Sequence, residues 1–251
     1  MLQIREEDLM PEVKMLMAGE QGLVADFGNI ISENVNNVVQ QLAARLNRSQ
    51  TAGITEVVPT YRSVMVYFDP ILIKRSALTA IICDLLGQII AGIGTPPPRR
   101  TISVPVCYGG VFGPDMDFVA RHTGLSVPEV IAIHTATSYL IYMLGFIPAF
   151  PYLGGLSEKL IVPRVSKTRP RIPEGSVGIA ARLTGFYTLE SAGEWRIIGR
   201  TPLKAFNPEA SNPFAFTAGD YLRFTSVSVD EFFAIRRQVE KGNYHPDIQV
   251  Q

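Results

Sequence analysis

The sequence predicts an α+β protein whose two parts differ in texture. Amphipathic helical stripes alternate with short β-prone runs in the N-terminal part, whereas the rest consists mostly of short strands separated by glycine and proline turns. A third feature is the segment 142–173, in which aromatic rings, prolines and cations are concentrated. Apolar periods of 3.6 and 2 residues distinguish helices from half-buried strands. Together they indicate a mixed domain followed by an all-β domain.

The N-terminal part opens with residues 1–18, which we interpret as a short helix or a mobile arm. A strand over Leu23–Phe27 follows, and Ser32 is expected to cap the next helix. Two strands, Ile54–Val58 and Ser63–Phe68, then precede a second helix. The apolar stripes of the two helices consist of Val35, Val38, Val39, Leu42 and Leu46, and of Leu78, Ile81, Ile82, Leu85, Leu86 and Ile89.

A strand over Thr101–Val106 completes the order strand, helix, strand, strand, helix, strand, which is the split-βαβ or ferredoxin-like arrangement. Pro105 favours an edge position for this strand. The proline-rich run 94–100 just before it could instead be an interdomain linker, so the boundary is expected between residues 92 and 108. We place the first domain at 1–98, including the N-terminal arm, and the second at 99–251.

The second domain is predicted to be a series of short strands. Ser126 and Glu129 form a capping box that opens a helix, and Ser228 with Glu231 opens a final C-terminal helix in the same way. Short strands with glycine and proline turns predict an all-β barrel or sandwich. The β-prone pieces are Tyr139–Leu144, Val177–Ala181, Phe186–Leu189, Trp195–Ile198 and Tyr221–Val227.

Composition excludes several function classes. The 251 residues are 47% hydrophobic with a formal net charge of zero, so no broad field attracts nucleic acid or an anionic membrane. The two cysteines indicate reduced buried thiols, and neither a signal peptide nor a membrane span is visible. We therefore expect a cytoplasmic protein. Phosphate-loop, GxSxG, HExxH and CxxC signatures are absent, so no metal site is predicted.

Segment 142–173 is the first candidate for a site. Phe146, Phe150 and Tyr152 stand among prolines that exclude a long helix. One interpretation is that these rings plug the barrel; the other is that they form a pocket wall for a small planar or ring-shaped ligand. Ser176 would lie nearby if the following strand lines the same cavity.

Cations form the second half of this segment. Arg164, Lys167, Arg169 and Arg171 follow one another closely, and in an extended strand Arg169 and Arg171 point the same way. Two guanidinium groups on one side can hold a carboxylate or phosphate bidentately. The alternative is a solvated basic strand.

His134 is the histidine of interest. On the helix that follows Ser126 it shares a face with Val130 and Ile131, so it is expected to be partly buried. It is either a core histidine bonded to a backbone carbonyl or a proton-transfer group beneath the aromatic loop.

Three stretches resemble a known family. They are YGGVFGPDMDFVARHTGLSVPEVIAIHT, YMLGFIPAFPYLGGL and PRIPEGSVGIAARLTGFYTLESAGEWRIIGRTPL, with AGEQGLVADFG and EVVPTYRS as further matches. They closely resemble the carboxyltransferase-like family, also called allophanate hydrolase subunit 1, which includes component B of 5-oxoprolinase and the kinase inhibitor KipI. The resemblance implies a ferredoxin-like N-terminal domain and a cyclophilin-like β-barrel C-terminal domain.

The resemblance also implies a function. It suggests component B of an ATP-dependent 5-oxoprolinase, which opens 5-oxo-L-proline to glutamate together with a homologous component C, similar to allophanate hydrolase subunit 2, and a lamB/YcsF-type component A. ATP is the implied co-substrate, and no complete catalytic set is visible in this chain. Two alternatives stay open: a KipI-type protein that binds a histidine kinase, or half of a biotin-dependent carboxyltransferase unit.

Carried over residue by residue, the resemblance implies His134, Arg164 and Arg171 as catalytic positions. The implied substrate pocket consists of Tyr142, Phe146, Pro148, Phe150, Tyr152, Pro163, Pro173, Ser176, Thr184 and Tyr187. The chain departs from the family pattern at Ala149, where a glycine with access to positive φ is usual. It departs again at Arg182–Leu183, where Leu183 replaces an amide side chain, and at Glu194 near the same rim.

Overall fold

The computed structural model describes residues 13–92 and 99–250. The chain divides into two compact units, Met1–Pro97 and Pro98–Gln251, each with its own hydrophobic core. Most of the proline-rich run 94–100 and of the N-terminal arm lies outside the described residues. Within the described part, no helix is long and apolar enough to cross a membrane.

The N-terminal unit is a four-stranded antiparallel sheet with two helices. Its strands follow the order β1-β2-β4-β3. Its elements are β1 (Lys14–Met17), β2 (Gly22–Asp26), α1 (Glu33–Ser49), β3 (Ile54–Pro59), β4 (Ser63–Phe68) and α2 (Arg75–Ile90).

Both predicted helices of this unit are confirmed. The Ser32 hydroxyl accepts a hydrogen bond from the backbone N–H of Val35 at the start of α1, which satisfies one of the donors that a helix N-terminus leaves open. The predicted apolar stripes lie in the core: α1 buries Leu42 and Leu46, and α2 buries Leu78 and Ile82. Their burial against the sheet stabilises the unit.

The assignment of Thr101–Val106 to this sheet was wrong. The edge position beside β2 belongs to β1, Lys14–Met17, so this stretch is neither a helix nor a mobile arm. The β5 strand, Arg100–Tyr108, belongs to the second unit. An alternating pattern identifies a strand but not its partner, and here the partners come from the C-terminal half of the chain.

The C-terminal unit contains ten strands and three α-helices among the described residues. In chain order they are β5 (Arg100–Tyr108), α3 (Met116–Thr123), α4 (Val127–Thr135), β6 (Ser138–Leu144), β7 (Pro151–Leu153), a 3₁₀ turn (Glu158–Leu160), β8 (Arg169–Ile172), β9 (Ser176–Ala180), β10 (Leu183–Phe186), β11 (Ser191–Gly193), β12 (Arg196–Arg200), β13 (Tyr221–Ser226), α5 (Val229–Glu240) and β14 (Ile248–Val250). Both predicted capping boxes are present, at the starts of α4 and α5.

Seven of these strands close into a barrel, which decides between the predicted barrel and sandwich. The order is β12-β9-β10-β7-β6-β13-β5, and β5 pairs back with β12. Closure leaves no exposed edge in the ring. Pro105 has Thr225 opposite it on β13; on its other side, β14 pairs with Arg100–Ile102 and β12 with Cys107–Tyr108. The missing N–H of the proline thus falls where that side of β5 has no paired strand.

A separate two-stranded ribbon, β8 with β11, stands beside the barrel. It carries the second half of the cationic segment. The barrel interior is filled by large apolar side chains, including Val104, Ile141, Ile179 and Phe224. A smaller apolar cluster centred on Phe150 and Trp195 is distinct from that interior.

Candidate functional site

A cleft of about 360 Å³ lies on the C-terminal unit, and we call it the aromatic cleft. The ribbon, the loop before β7 and the loop before β8 supply its walls. Its lining residues are Phe146, Phe150, Tyr152, Arg164, Thr168, Tyr187, Ala192, Gly193, Glu194 and Trp195. Five of these, the first four and Tyr187, are predicted site residues.

Aromatic rings form one side of the cleft around Phe150. The ring of Phe150 lies 5.6 Å from that of Phe146, 5.3 Å from Tyr152, 5.5 Å from Tyr187 and 5.4 Å from Trp195, each in an edge-to-face arrangement. Such geometry places positive ring edges against negative ring faces and stabilises the cluster. Phe150 is buried, whereas Phe146 is 61% exposed at the rim. The rings therefore form both the base and the lip of the cleft.

Tyr187 brings a hydroxyl to the aromatic side. Burial raises the pKa of Tyr187 to about 12, while the nearby Arg164 and Arg169 lower it and Glu194 raises it. The phenol is thus neutral near pH 7. Gly193 of the ribbon passes close to this hydroxyl, because a Cβ atom at Gly193 would lie 2.1 Å from Tyr187 Oη.

The opposite side of the cleft carries charge. The Thr168 hydroxyl donates to Glu194 Oε1 at 2.7 Å, and Arg164 Nη1 lies 3.9 Å from Glu194 Oε2. The Arg164 and Glu194 side chains are 50% and 42% exposed, so this pair contributes little to stability. A guanidinium in such a loose pair can turn its donors toward a ligand carboxylate at small cost.

The two arginines of the ribbon do not share an anion. Arg169 binds Asp115 bidentately at 2.6 and 2.7 Å, and Asp115 also accepts the backbone N–H of Ile197 at 2.6 Å. Arg171 pairs with Glu190 at the surface. Each cation therefore has its own carboxylate, and the hypothesis of a joint anion clamp is not supported. Instead, Arg169 ties the ribbon to the barrel.

His134 lies inside the barrel and not at the cleft. Its ring is 0% exposed and stacks on Phe224. The Thr184 hydroxyl donates to the Gly178 carbonyl at 3.0 Å, so it accepts from His134 Nε2 at 2.8 Å, and Tyr108 donates to Nδ1 at 2.7 Å. Burial lowers the pKa of His134 to about 3. The histidine is neutral with both nitrogens bonded, which matches the core interpretation except that side chains replace the expected carbonyl.

The other predicted pocket residues lie outside the cleft lining. The Pro148 carbonyl accepts the Thr188 hydroxyl at 2.6 Å, and the Pro163 carbonyl accepts Arg196 Nε at 3.2 Å. Tyr142 is buried with its ring against Gly154, where a Cβ would lie 2.1 Å from the ring. Those without a place in the cleft are His134, Tyr142, Pro148, Pro163, Arg171, Pro173, Ser176 and Thr184.

The departures from the family pattern have structural counterparts. Ala149 has φ +60° and Ala181 has φ +51°, so the expectation that an alanine at 149 loses access to positive φ was wrong. Such a backbone is strained for an L-residue by about 1–2 kcal/mol. Leu183 packs against the Phe150 cluster, and Arg182 pairs with Glu158 at 2.9 Å on the surface.

Sequence reasoning missed Thr168, Ala192, Gly193 and Trp195 as cleft residues. Trp195 is the single tryptophan of the chain and follows Glu194 directly, which was a usable signal. Gly193 offered none, because its role depends on Tyr187 approaching from another part of the chain. Within the described residues, no group of three or more histidine, cysteine, aspartate or glutamate side chains could hold a metal ion.

Comparison with known proteins assigns the family. The family model for the carboxyltransferase domain, subdomains C and D, matches residues 13–216. The chain belongs to this family. The resemblance inferred from the motifs is thereby confirmed.

Two bacterial relatives carry the same name, component B of 5-oxoprolinase. The protein from Bacillus subtilis is 37% identical over 230 residues, which covers 88% of this chain and 95% of that protein. The protein from Escherichia coli O157:H7 is 45% identical over 128 residues, covering 51% of this chain and 59% of that protein.

Solved structures share the fold. A crystal structure of TTHA0988 superposes with a TM-score of 0.74 at 32% identity, covering 83% of this chain. The chain spans 40% of the length of that protein. The conserved protein PH0987 from Pyrococcus horikoshii is 40% identical with a TM-score of 0.52; the match covers 87% of this chain and all of that protein. The Kluyveromyces lactis urea amidolyase, at 20% identity and a TM-score of 0.76, shows the fold alone; the match covers 96% of this chain and 16% of that one.

Proposed function

We propose that this chain is component B of an ATP-dependent 5-oxoprolinase, which converts 5-oxo-L-proline, ATP and water to glutamate, ADP and phosphate. The main support is the 37% identity to a protein of that name along 95% of its length. The aromatic cleft adds independent chemical support. We identify no complete catalytic set among the described residues, so we assign the activity to an assembly.

The cleft suits a small ring that bears a carboxylate. Rings in edge-to-face clusters offer an apolar wall for one face of a lactam, and concave sites lined by aromatics with a few polar groups are typical of small-molecule binding. We assign Arg164 to the substrate carboxylate, because its pair with Glu194 is loose at 3.9 Å. We assign Glu194, held by Thr168, to the lactam N–H. Charge-assisted hydrogen bonds of this kind fix orientation.

The remaining candidates have different support. Arg164 and the aromatic residues of the cleft are supported by their positions. Arg171 stays a proposed catalytic residue only through the family resemblance, since it pairs with Glu190 outside the cleft. The same holds for His134, which is buried and neutral in the barrel core. A proton transfer from His134 would require the barrel to open.

We further propose the partners named by the resemblance, a homologous component C and a lamB/YcsF-type component A, and a cytoplasmic location. The cleft volume of about 360 Å³ suits the lactam rather than a nucleotide with its phosphates. We therefore propose that the partner proteins supply the ATP site. In the finer classification, we propose a ferredoxin-like N-terminal unit, with β1 as its edge strand, and a cyclophilin-like barrel.

Kinase inhibition and carboxyl transfer have weaker support. The relatives named urea carboxylase or urea amidolyase are 20–21% identical to this chain. That level supports a common fold and leaves the chemistry open. No feature of the described cleft favours a kinase segment over a small ring.

Reconstitution tests the proposal. The chain is purified with the candidate components A and C, and ATP consumption is measured with and without 5-oxo-L-proline. We expect lactam-dependent ATP hydrolysis with stoichiometric glutamate, and a large loss in the Arg164→Gln assembly. Arg182→Gln is the matched control, because Arg182 also forms an exposed ion pair but does not line the cleft. A stable assembly without lactam-dependent turnover would refute the proposal.

A further inference from the structure

A second, smaller cavity lies where the end of β12 meets α5, and we call it the basic pocket. Arg200, Lys204 and Arg236 contribute its cations, and Glu174 and Glu240 its carboxylates. One positive charge is therefore in excess. Its volume is about 150 Å³. The proposed lactam chemistry makes no use of this cavity.

Arg200 is the unusual residue of the pocket. Its Nε donates to the backbone carbonyl of Glu174 at 2.8 Å, but its terminal nitrogens have no hydrogen bond or ion pair with the residues that the structure describes. Partial burial lowers the pKa of Arg200, the nearby Arg236 lowers it further, and Glu174 opposes these effects. A half-buried cation normally has a partner. The lack of one here leaves paired N–H donors for a ligand.

The two neighbouring cations are also available. Arg236 uses Nε for a bond to Glu240 at 3.0 Å, in a pair whose side chains are about half exposed. Such a surface pair is weak and leaves the terminal nitrogens of Arg236 for other acceptors. Lys204 forms no ion pair within the described part of the chain. Three cations with open donors thus line one small cavity.

Apolar side chains lie behind these charges. Leu203, Phe232 and Val239 line the pocket, and Phe232 is 2% exposed. An apolar surface lowers the effective dielectric, so an anion beside it interacts more strongly with the guanidinium groups than it would in water. This arrangement is more typical of a binding site than of a solvated basic face.

We propose that the basic pocket binds a small oxyanion of the phosphate class. The terminal N–H pairs of Arg200 and Arg236 match the oxygen spacing of such an anion bidentately, and Lys204 adds a point charge. Three converging cations suit a dianion better than a single carboxylate. The 5-oxoprolinase proposal is not required for this inference.

The size of the cavity limits the ligand. One water takes up about 30 Å³ in the liquid, so a pocket of about 150 Å³ has room for roughly five waters. That space accepts a phosphate group but not a nucleoside as well. The anion is then either free phosphate or the terminal phosphate of a molecule whose remainder stays outside.

Calorimetric titration of the full-length protein with sodium phosphate, at constant ionic strength set by chloride, tests the site. We expect saturable binding of one phosphate per chain. Loss of one charge-assisted hydrogen-bonding group in Arg200→Gln or Arg236→Gln should weaken binding about tenfold. Lys204→Gln is a further variant that is exposed and so should not disturb folding. Arg237→Gln is the control, because Arg237 is exposed on the same helix but does not line the pocket.

The outcomes separate cleanly. Saturable binding that Arg236→Gln and Lys204→Gln weaken, and that Arg237→Gln leaves unchanged, supports the pocket. Competition by AMP at similar concentrations then identifies a phosphate monoester, and absence of competition identifies the free anion. No saturable binding by the wild-type chain, or equal binding by all variants, overturns the proposal.

Discussion

The hydroxyl of Tyr187 occupies the space that a side chain at Gly193 would need. A Cβ atom at position 193 would lie 2.1 Å from Tyr187 Oη and 2.9 Å from Ile172 Cδ1. Tyr187 is 1% exposed, so it has little room to retreat. This contact couples the ribbon to the aromatic side of the cleft, and a glycine is required there for close approach rather than for backbone freedom.

Gly193→Ala should therefore destabilise the protein by about 1–3 kcal/mol through overpacking. Chemical denaturation measures the change in the free energy of unfolding. Tyr187→Phe removes the clashing atom, so the double variant should recover part of the loss and give a coupling energy of opposite sign. Purely additive effects of the two substitutions would show that the ribbon adjusts without contacting the ring.

Adjacent alanines should respond oppositely to glycine. Ala181 has φ +51° and is exposed, so Ala181→Gly relieves about 1–2 kcal/mol of strain and gives back about 0.5–1 kcal/mol as unfolded-state entropy. We expect a small net gain in the free energy of unfolding. Ala180 is buried in β9 with ordinary φ, and Ala180→Gly should destabilise. Denaturation of both variants beside the wild type checks the sign, and a loss at both positions would contradict the strain at 181.

Buried His134 should make stability depend on pH. Its pKa is lowered to about 3 in the folded protein, against 6.5 as its ordinary value, so the unfolded chain binds the proton more readily between these values. The stabilising contribution is complete above pH 6.5 and is lost as the pH falls toward 3, with a slope of up to about 1.4 kcal/mol per pH unit.

Denaturant unfolding at pH 7.5, 6.5 and 5.5 measures this dependence, with His134→Gln as the reference. The exposed His122 and His245 and the carboxylates are common to both proteins and cancel in the difference. We expect the wild type to lose more stability than the variant as the pH falls. Parallel pH profiles would mean that His134 does not titrate with unfolding.

Asp115 should carry more stability than any surface carboxylate of the ribbon. It binds Arg169 bidentately, accepts the Ile197 N–H and is 8% exposed at its side chain. Asp115→Asn leaves Arg169 without its charge partner and should cost about 3 kcal/mol. Glu190→Gln removes the exposed partner of Arg171 and should cost less than about 1 kcal/mol. Equal losses in thermal or denaturant unfolding would contradict the anchoring role of Asp115.

Signals local in sequence predicted this molecule best. The Ser126–Glu129 capping box and the stripe of α1 depend on residues within a few positions of one another, and both are present. Partners distant in sequence could not be identified in this way. The Thr101–Val106 pattern is a strand in either unit, and only the pairing with β13 and β12 decides which.

The same limit applies to the site. The aromatic group around Phe150 was predictable, because rings among prolines have to pack somewhere. The pairing of Arg169 with Asp115 was not, since nothing near either residue in sequence indicates the other. His134 was correctly expected to be buried, but its bonds to Tyr108 and Thr184 come from other strands. Spacing along a chain identifies faces, and three-dimensional pairing decides which charges stay open.

Phe146 and Phe150 should separate ligand binding from stability. Phe146 is 61% exposed at the rim, so Phe146→Ala should change the free energy of unfolding by less than about 1 kcal/mol. In the reconstituted assembly it should raise KM for the lactam with kcat nearly unchanged, since it removes apolar contact made equally in the ground and transition states. Phe150→Ala should instead cost about 3–5 kcal/mol, because the ring is buried among four others. If Phe146→Ala leaves KM unchanged while folding is intact, the substrate does not contact this lip and the cleft assignment fails.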